Sequence, residues 1–503
     1  MVVVQATKLS LPNPSLCSPQ ISSLLFEPHS LSLALMHSDS SFSLYPSFSA
    51  LSLSSLPSPQ VVVPSPCSSA AFVALQNSNS NSDTKVLFVV SGPHKGGSQI
   101  LLRFYVLEGS KLFRRAPVVC TQKDLRSDDK LGVLVNFRHG ISVRLAGSVN
   151  FFAMYSVSSL KIWVFAVKMV GDGDDDIGLK LMRCAVIDCC KPIWSINISF
   201  GFLLLGEDNG IRVVNLRPFV RGRGRKVRNL NANTSSNGKR EVQKSFLPHG
   251  DVCGTSGGTD LNGGSLVVSS NGFNLQASRS EDAGNSACNG CLDGKFDKNS
   301  SFVRPRCIKL RQDSSEGLYF VALKRRANED LKSAKMMSLK AISIQALSPK
   351  KILILDSVGD LHLLHLANAA NGFDFSCNIR PLPHLMKVQM LTSFPDTSIR
   401  NQTVWLSDGN HSVHIMVIPD VDSVVPENMG NESEEVLMKR ISVMQAIFSG
   451  EKIQDITSLA ANAVLILGQG PHSWEFALME FGRLKSFNST KLLLCCVALT
   501  LHP

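Results

Sequence analysis

The chain has 503 residues, 44% of them hydrophobic, which is enough to build a sizeable core in one large domain or in several. Only 18% are charged, with a formal net charge of +11, and the Ser, Asn and Gly that fill the gap suit strands and turns rather than a helical bundle or coiled coil. No apolar run reaches the roughly 18 residues that would span a bilayer, so no membrane partner is predicted.

The opening MVVVQATKLS has no charged stretch leading into an apolar core, so it does not read as a secretory signal. Thirteen cysteines, an odd number scattered from Cys17 to Cys496, are expected to be free and mostly buried thiols in a reducing compartment. The first 70 residues are Ser-rich and acid-poor, as in a plastid transit peptide. They are also poor in Arg and Lys, and the strand-like Leu31–Leu44 phrase favours a folded segment.

Along the chain one phrase recurs: an apolar strand, a tight polar turn and a second apolar strand. Weak copies surround Asp39, Gly97 and Ser159. The clearest is Phe202 to Leu216, FLLLGEDNGIRVVNL, with Asn209-Gly210 at the tip. Asn-Gly between apolar runs is a strong hairpin signal, because both turn residues must tolerate positive φ. Further copies turn at Gly359-Asp360, at Asp408-Gly409 and near Gly470. Runs such as Ile193–Ile198 and Ala341–Leu347 supply a preceding strand.

Successive turns are about evenly spaced: Ser159 to Gly210 is 51 residues, Gly359 to Gly409 is 50, and Gly409 to Gly470 is 61. A period near 50 with three or four strands per unit marks a propeller blade, whose two apolar faces are buried only by stacking on neighbours. The fold class expected is therefore all-β, a β-propeller of about seven blades. Alternation within one hairpin would equally fit a β-sandwich; the repeated spacing favours the ring.

At GEDNGIRVVNLR the chain resembles a WD-repeat blade, in which a Gly/Asp turn precedes an Ile-x-Val-Trp-Asp-Leu strand. Val214-Asn215 stand at the Trp-Asp position, and no Gly-His dipeptide lies upstream in register, so the resemblance is to the divergent, plant-type end of that family. It implies a non-enzymatic scaffold that holds other proteins on its propeller rims.

Residues 20–216 are read as N-terminal blades, 217–310 as a disordered insertion between blades, 311–480 as C-terminal blades and 481–503 as an atypical apolar tail. The insertion is Gly-, Ser- and Asn-rich, with too few branched apolar residues to offset the entropy of ordering it. It opens with RGRGRKVR, where Arg221, Arg223, Arg225, Lys226 and Arg228 put five cations in eight residues. Such a cluster is either a nuclear import signal, a phosphate-contacting arm on RNA or DNA, or a solvated loop. No aromatic residue interleaves it, so base stacking is not expected. The nucleus, the cytoplasm or both are the compartments expected.

The remaining chemistry-bearing residues are sparse. Cys288 and Cys291 have zinc-knuckle spacing but no second pair. Asp174, Asp175 and Asp176 lack the alternating acids of a calcium loop. His362 with His365, and His411 with His414, are three apart and face opposite sides of a strand. Trp163, Trp194 and Trp405 lie in strand phrases and are expected to pack blades. There is no nucleophile elbow, phosphate-binding loop or metalloprotease motif, so no catalytic residue, metal or cofactor is predicted.

Overall fold

The computed structural model describes residues 3–9, 19–48, 56–76, 84–109, 111–136, 142–170, 178–217, 307–313, 318–323, 338–368, 375–382, 386–394, 401–419, 442–469 and 491–498. Apart from β1 (Val3–Leu9), the strands follow in sets along the chain. The first sheet is β2 (Ile21–Glu27), β3 (Ser32–His37), β4 (Phe42–Tyr45) and β5 (Val61–Val63). The second starts with β6 (Ser69–Leu75), β7 (Lys85–His94) and β8 (Gln99–Glu108). An excursion then contributes β9 (Leu112–Arg115), β10 (Val118–Cys120), β11 (Leu125–Asp128) and β12 (Gly132–Val135). Both β9 and β12 pair with β8, so two short strands share the fourth position.

The third sheet is β13 (Val143–Gly147), β14 (Phe151–Ser156), β15 (Lys161–Val170) and β16 (Gly178–Asp188). The fourth is β17 (Ser195–Ser199), β18 (Phe202–Glu207), β19 (Gly210–Asn215) and, after β20 (Ile308–Arg311), β21 (Leu318–Ala322). The fifth is β22 (Ala341–Ala346), β23 (Lys351–Asp356), β24 (Leu361–Asn368) and β25 (Phe375–Leu382). The sixth is β26 (Met390–Ser393), β27 (Asn401–Ser407), β28 (Ser412–Pro419) and β29 (Ser442–Phe448). The seventh is β30 (Lys452–Ala460), β31 (Ala463–Gln469) and β32 (Lys491–Ala498), completed by β1.

These seven sheets close on themselves. Their first strands touch in the cyclic order β2, β6, β13, β17, β22, β26, β30 and back to β2. Seven apolar clusters accompany them, one between each pair of neighbouring sheets, including one between the seventh and the first that holds Leu24, Leu35, Leu465 and Leu467. Second strands are sandwiched by neighbours on both faces, so all six residues of FLLLGE in β18 and of KILILD in β23 are buried. The chain is a seven-bladed β-propeller.

Two boundaries differ from those the sequence suggests. Residues 491–498, set apart by composition as an atypical tail, form the third strand of the seventh blade, and β1, which precedes the expected start at residue 20, forms its fourth. The segment between β19 and β21 joins the third and fourth strands of the fourth blade rather than two blades. On its return, β20 first pairs in parallel with the outer edge of β16 in the third blade, above the parallel pairing of β10 with the same edge.

Candidate functional site

The basic cluster of Arg221, Arg223, Arg225, Lys226 and Arg228 lies outside the described residues, as do Asp174, Asp175 and Asp176, Cys288 and Cys291, and Lys324, Arg325 and Arg326. The last described residue before that cluster is Arg217. Its guanidinium sits 5.7 Å from the Phe202 ring centroid and donates to the Phe200 carbonyl at 3.3 Å. This is the end of the fourth blade where its first and second strands turn.

The opposite end of every blade carries the turn between its second and third strands, and there the linkers between consecutive blades also run. We call this the upper face. Four of the described linkers are pinned to turns by backbone bonds. Cys67 N donates to Ser40 O, Val388 N to Gly359 O at 3.1 Å and Ile453 N to Asn410 O. Leu339 and Asn209 bond twice, the second time through the Asn209 side chain, which accepts Leu339 N at 2.9 Å. The turns carry positive φ, although in the fourth blade the turn is Asp208-Asn209 and Gly210, expected at its tip, already belongs to β19. Asn209, Gly359 and Gly409 take φ of +60°, +91° and +72°. At Gly359 a Cβ would also stand only 2.9 Å from the Val388 carbonyl, so the linker seats against a bare backbone.

Below these turns, the second strand ends in a buried polar residue that the third strand or the turn satisfies. Glu207 is fully buried and takes a two-point ion pair from Arg212, at 2.6 and 3.1 Å. Ser407 donates to Ser412 O at 2.9 Å. In the fifth blade, Asp356 Oδ1 accepts Val358 N and Asp360 N at 2.9 Å, and its Oδ2 lies 2.9 Å from His362 Nε2. Burial works to raise the Asp356 pKa, but His362 and the two amides outweigh it and hold the carboxyl below its ordinary range. His362 is thus a buried structural partner, whereas His365 faces the other way toward Arg380. His414 meets the Ser412 hydroxyl at 3.2 Å. His362 and His365 do not converge on one point, as strand alternation requires, whereas His411 precedes β28 in the turn rather than on the strand.

Side chains converge on the upper face where the third, fourth and fifth blades meet. Trp194, on the linker entering β17, is partly exposed. Its indole Nε1 donates to Asp208 Oδ1 at 2.8 Å, and Lys340 Nζ stands 3.9 Å from its ring centroid. Arg144, exposed on β13, donates to the Trp194 carbonyl. Lys340 N bonds Ser357 Oγ at 3.1 Å, and the next residue along that turn, Val358, is 45% exposed. Trp163 and Trp405 are buried between blades as expected, but Trp194 is not. A sign was present in KPIWS: a Trp ahead of a first strand, after an exposed Lys191-Pro192, lies in a linker rather than in a sheet.

The first strands line the axis, and side chains join them. Ser195 donates to Ala341 O at 2.7 Å, Asn197 to Ile344 O at 3.2 Å, and Thr392 Oγ1 accepts Ser458 N at 3.2 Å. Asp455 bridges the seventh and first blades by accepting Leu24 N at 2.8 Å. Burial raises the Asp455 pKa, even though the bonds it accepts oppose the shift. Near their upper ends β2, β22 and β30 each carry one extra residue, Ser22, Ile342 and Gln454, facing no partner across the strand pair. Such bulges re-aim a side chain, and Ile342 is 39% exposed as a result.

Among the described residues Cys67, Cys120, Cys184, Cys189, Cys190, Cys307 and Cys377 are free thiols. Burial pushes the Cys189 thiol up to about 12 and those of Cys120 and Cys184 to about 11, so these three stay protonated and unreactive at neutral pH. Among the described residues no three His, Cys, Asp or Glu side chains gather as a metal site.

No protein-family profile and no curated protein matches this chain. Among solved structures it is similar to the Cps50 (Swd1) β-propeller domain of Myceliophteria thermophila, at 8% identity and a TM-score of 0.40, with 92% of this chain and 96% of that one covered. It is also similar to Sqt1 from Chaetomium thermophilum, at 8% identity and a TM-score of 0.39, with 90% of this chain and 80% of that one covered.

Proposed function

We propose that this chain is a non-enzymatic scaffold that docks other proteins on the upper face and rims of its ring. The observation that supports this reading is the upper face itself. Linkers and turns from successive blades are fixed to one another by backbone bonds, and they present an aromatic–cationic group, Trp194 with Lys340 and Arg144, on a preorganised platform. Rigid aromatic and Arg side chains contribute most to interface affinity, because little entropy is lost when they are covered. The test is purification of the tagged full chain with lysine-directed crosslinking, in low and high salt, with and without nuclease. Protein partners that survive nuclease and crosslink to Lys191, Lys340 or Lys387 support the reading. Partners that vanish with nuclease refute it.

That second outcome would favour the alternative reading, a nuclear factor in which Arg221, Arg223, Arg225, Lys226 and Arg228 contact RNA or DNA phosphates. The density of cations in this stretch is what favours it. Arg217 leads into the stretch from the end of the fourth blade opposite the upper face. The same cluster, read as an import signal, would bring the protein into the nucleus.

A further inference from the structure

We propose that the group around Trp194 captures an acidic peptide segment carrying one bulky apolar side chain, with the carboxylates on Arg144 and Lys340 and the apolar side chain on Trp194 and Val358. This rests on the scaffold reading and names the class of partner. Four observations carry it. Trp194 sits where three blades meet, on a linker, and remains partly exposed, although burying an indole between blades was open to it as it was to Trp163 and Trp405. Its one polar atom is already satisfied by Asp208, so the exposed ring is free to act as an apolar surface. Arg144 is exposed and Lys340 half-buried, and among the described residues no carboxylate bridges either; Asp208, the acid at hand, is committed to the indole. The bulged Ile342, two residues after Lys340, and Val358, next to the Ser357 that Lys340 N bonds, add exposed aliphatic area.

An RNA or DNA strand fits this group less well. One face of the indole is covered by the Lys340 ammonium, which leaves a base only the other to stack on. Asp208 would repel phosphates, and among the described residues no row of cations stands at phosphate spacing. Exposed aliphatic side chains next to cations instead match a segment that alternates acidic and apolar residues.

The full chain, immobilised, is panned against a random 12-residue peptide library, and the enriched peptides are then titrated by fluorescence anisotropy. Enriched sequences should share Asp or Glu flanking a Leu, Ile, Phe or Trp. Lys340→Glu and Arg144→Glu, surface changes that leave the ring intact, should each weaken them about tenfold or more. Trp194→Ala should do the same, provided its thermal transition stays within a few degrees of the parent. If enriched peptides lack acidic residues, or bind equally after Lys340→Glu, the acidic-peptide inference is wrong while the scaffold reading stands. If no peptide enriches on any face, both fail. If a 12-nucleotide poly-U RNA displaces the peptides from this group and binds more tightly, the site is a nucleic-acid site.

Discussion

Removing the carboxylate of Asp356 gives the sharpest energetic test of the latch that recurs beneath the upper-face turns. Asp356 and His362 are 1% and 2% exposed, and the carboxylate accepts two turn amides besides meeting the imidazole. Asp356→Ala leaves two partly buried turn N–H groups and a buried ring nitrogen without partners, which costs about 3–5 kcal/mol where a charged partner is lost. At about 2 °C per kcal/mol for a large domain, the thermal midpoint should fall by roughly 6–10 °C. Asp356→Asn keeps an acceptor for the amides and should cost less than half as much. Because folding lowers the Asp356 pKa below 3.8, its contribution is present above that value and is lost as pH falls through the folded pKa. Differential scanning calorimetry of both variants, with His362→Ala and the Asp356/His362 double variant, closes a cycle whose coupling should exceed about 0.5 kcal/mol. A loss below about 1 kcal/mol for Asp356→Ala, or additive single effects, would refute the latch.

Gly359→Ala forces a side chain into φ of +91° and toward the Val388 carbonyl, and should cost about 1–3 kcal/mol in urea unfolding, whereas an alanine at Gly96, which meets no neighbouring atom, should cost less. For Asp455 the sign is opposite to that of Asp356: folding raises its pKa, so its contribution is greatest below 3.8 and is lost as pH rises through the folded pKa. Asp455→Asn, which can still accept Leu24 N, should therefore gain stability relative to the parent between pH 4 and pH 7, and a constant difference across that range would contradict the assignment. Alanine at Arg221, Arg223, Arg225, Lys226 and Arg228 should move a fluorescent fusion from nucleus to cytoplasm without changing its melting temperature; equal nuclear signal would remove the import reading.

What the sequence made legible was local. Hairpins at Asn209, Gly359 and Gly409 could be found because positive φ demands Asn or Gly within a few residues of two apolar runs, and their spacing then implied the ring. Long-range pairing was not legible. Nothing in VVQATKL marks it as the partner of a strand nearly 490 residues away, since a strand's apolar pattern fixes a face and not a mate. The same limit set the insertion between blades, because LYFVA after it carries no sign that it completes the fourth blade. Trp194 was missed for another reason: composition assigns an indole to the core, and the Lys-Pro ahead of it, the one sign of a linker, says nothing of the Lys340 that meets its ring.

Ring closure by the first strand is the claim on which the platform depends, and a crosslink tests it directly. The backbone register sets Ala6 opposite Cys495 and Gln5 opposite Cys496. Ala6→Cys, oxidised in the folded full chain and mapped by mass spectrometry without reduction, should give a disulfide joining position 6 to Cys495, with no loss of the thermal transition. A thiol that stays free at position 6, or that links to a cysteine of another blade, would mean that the first strand does not close the ring.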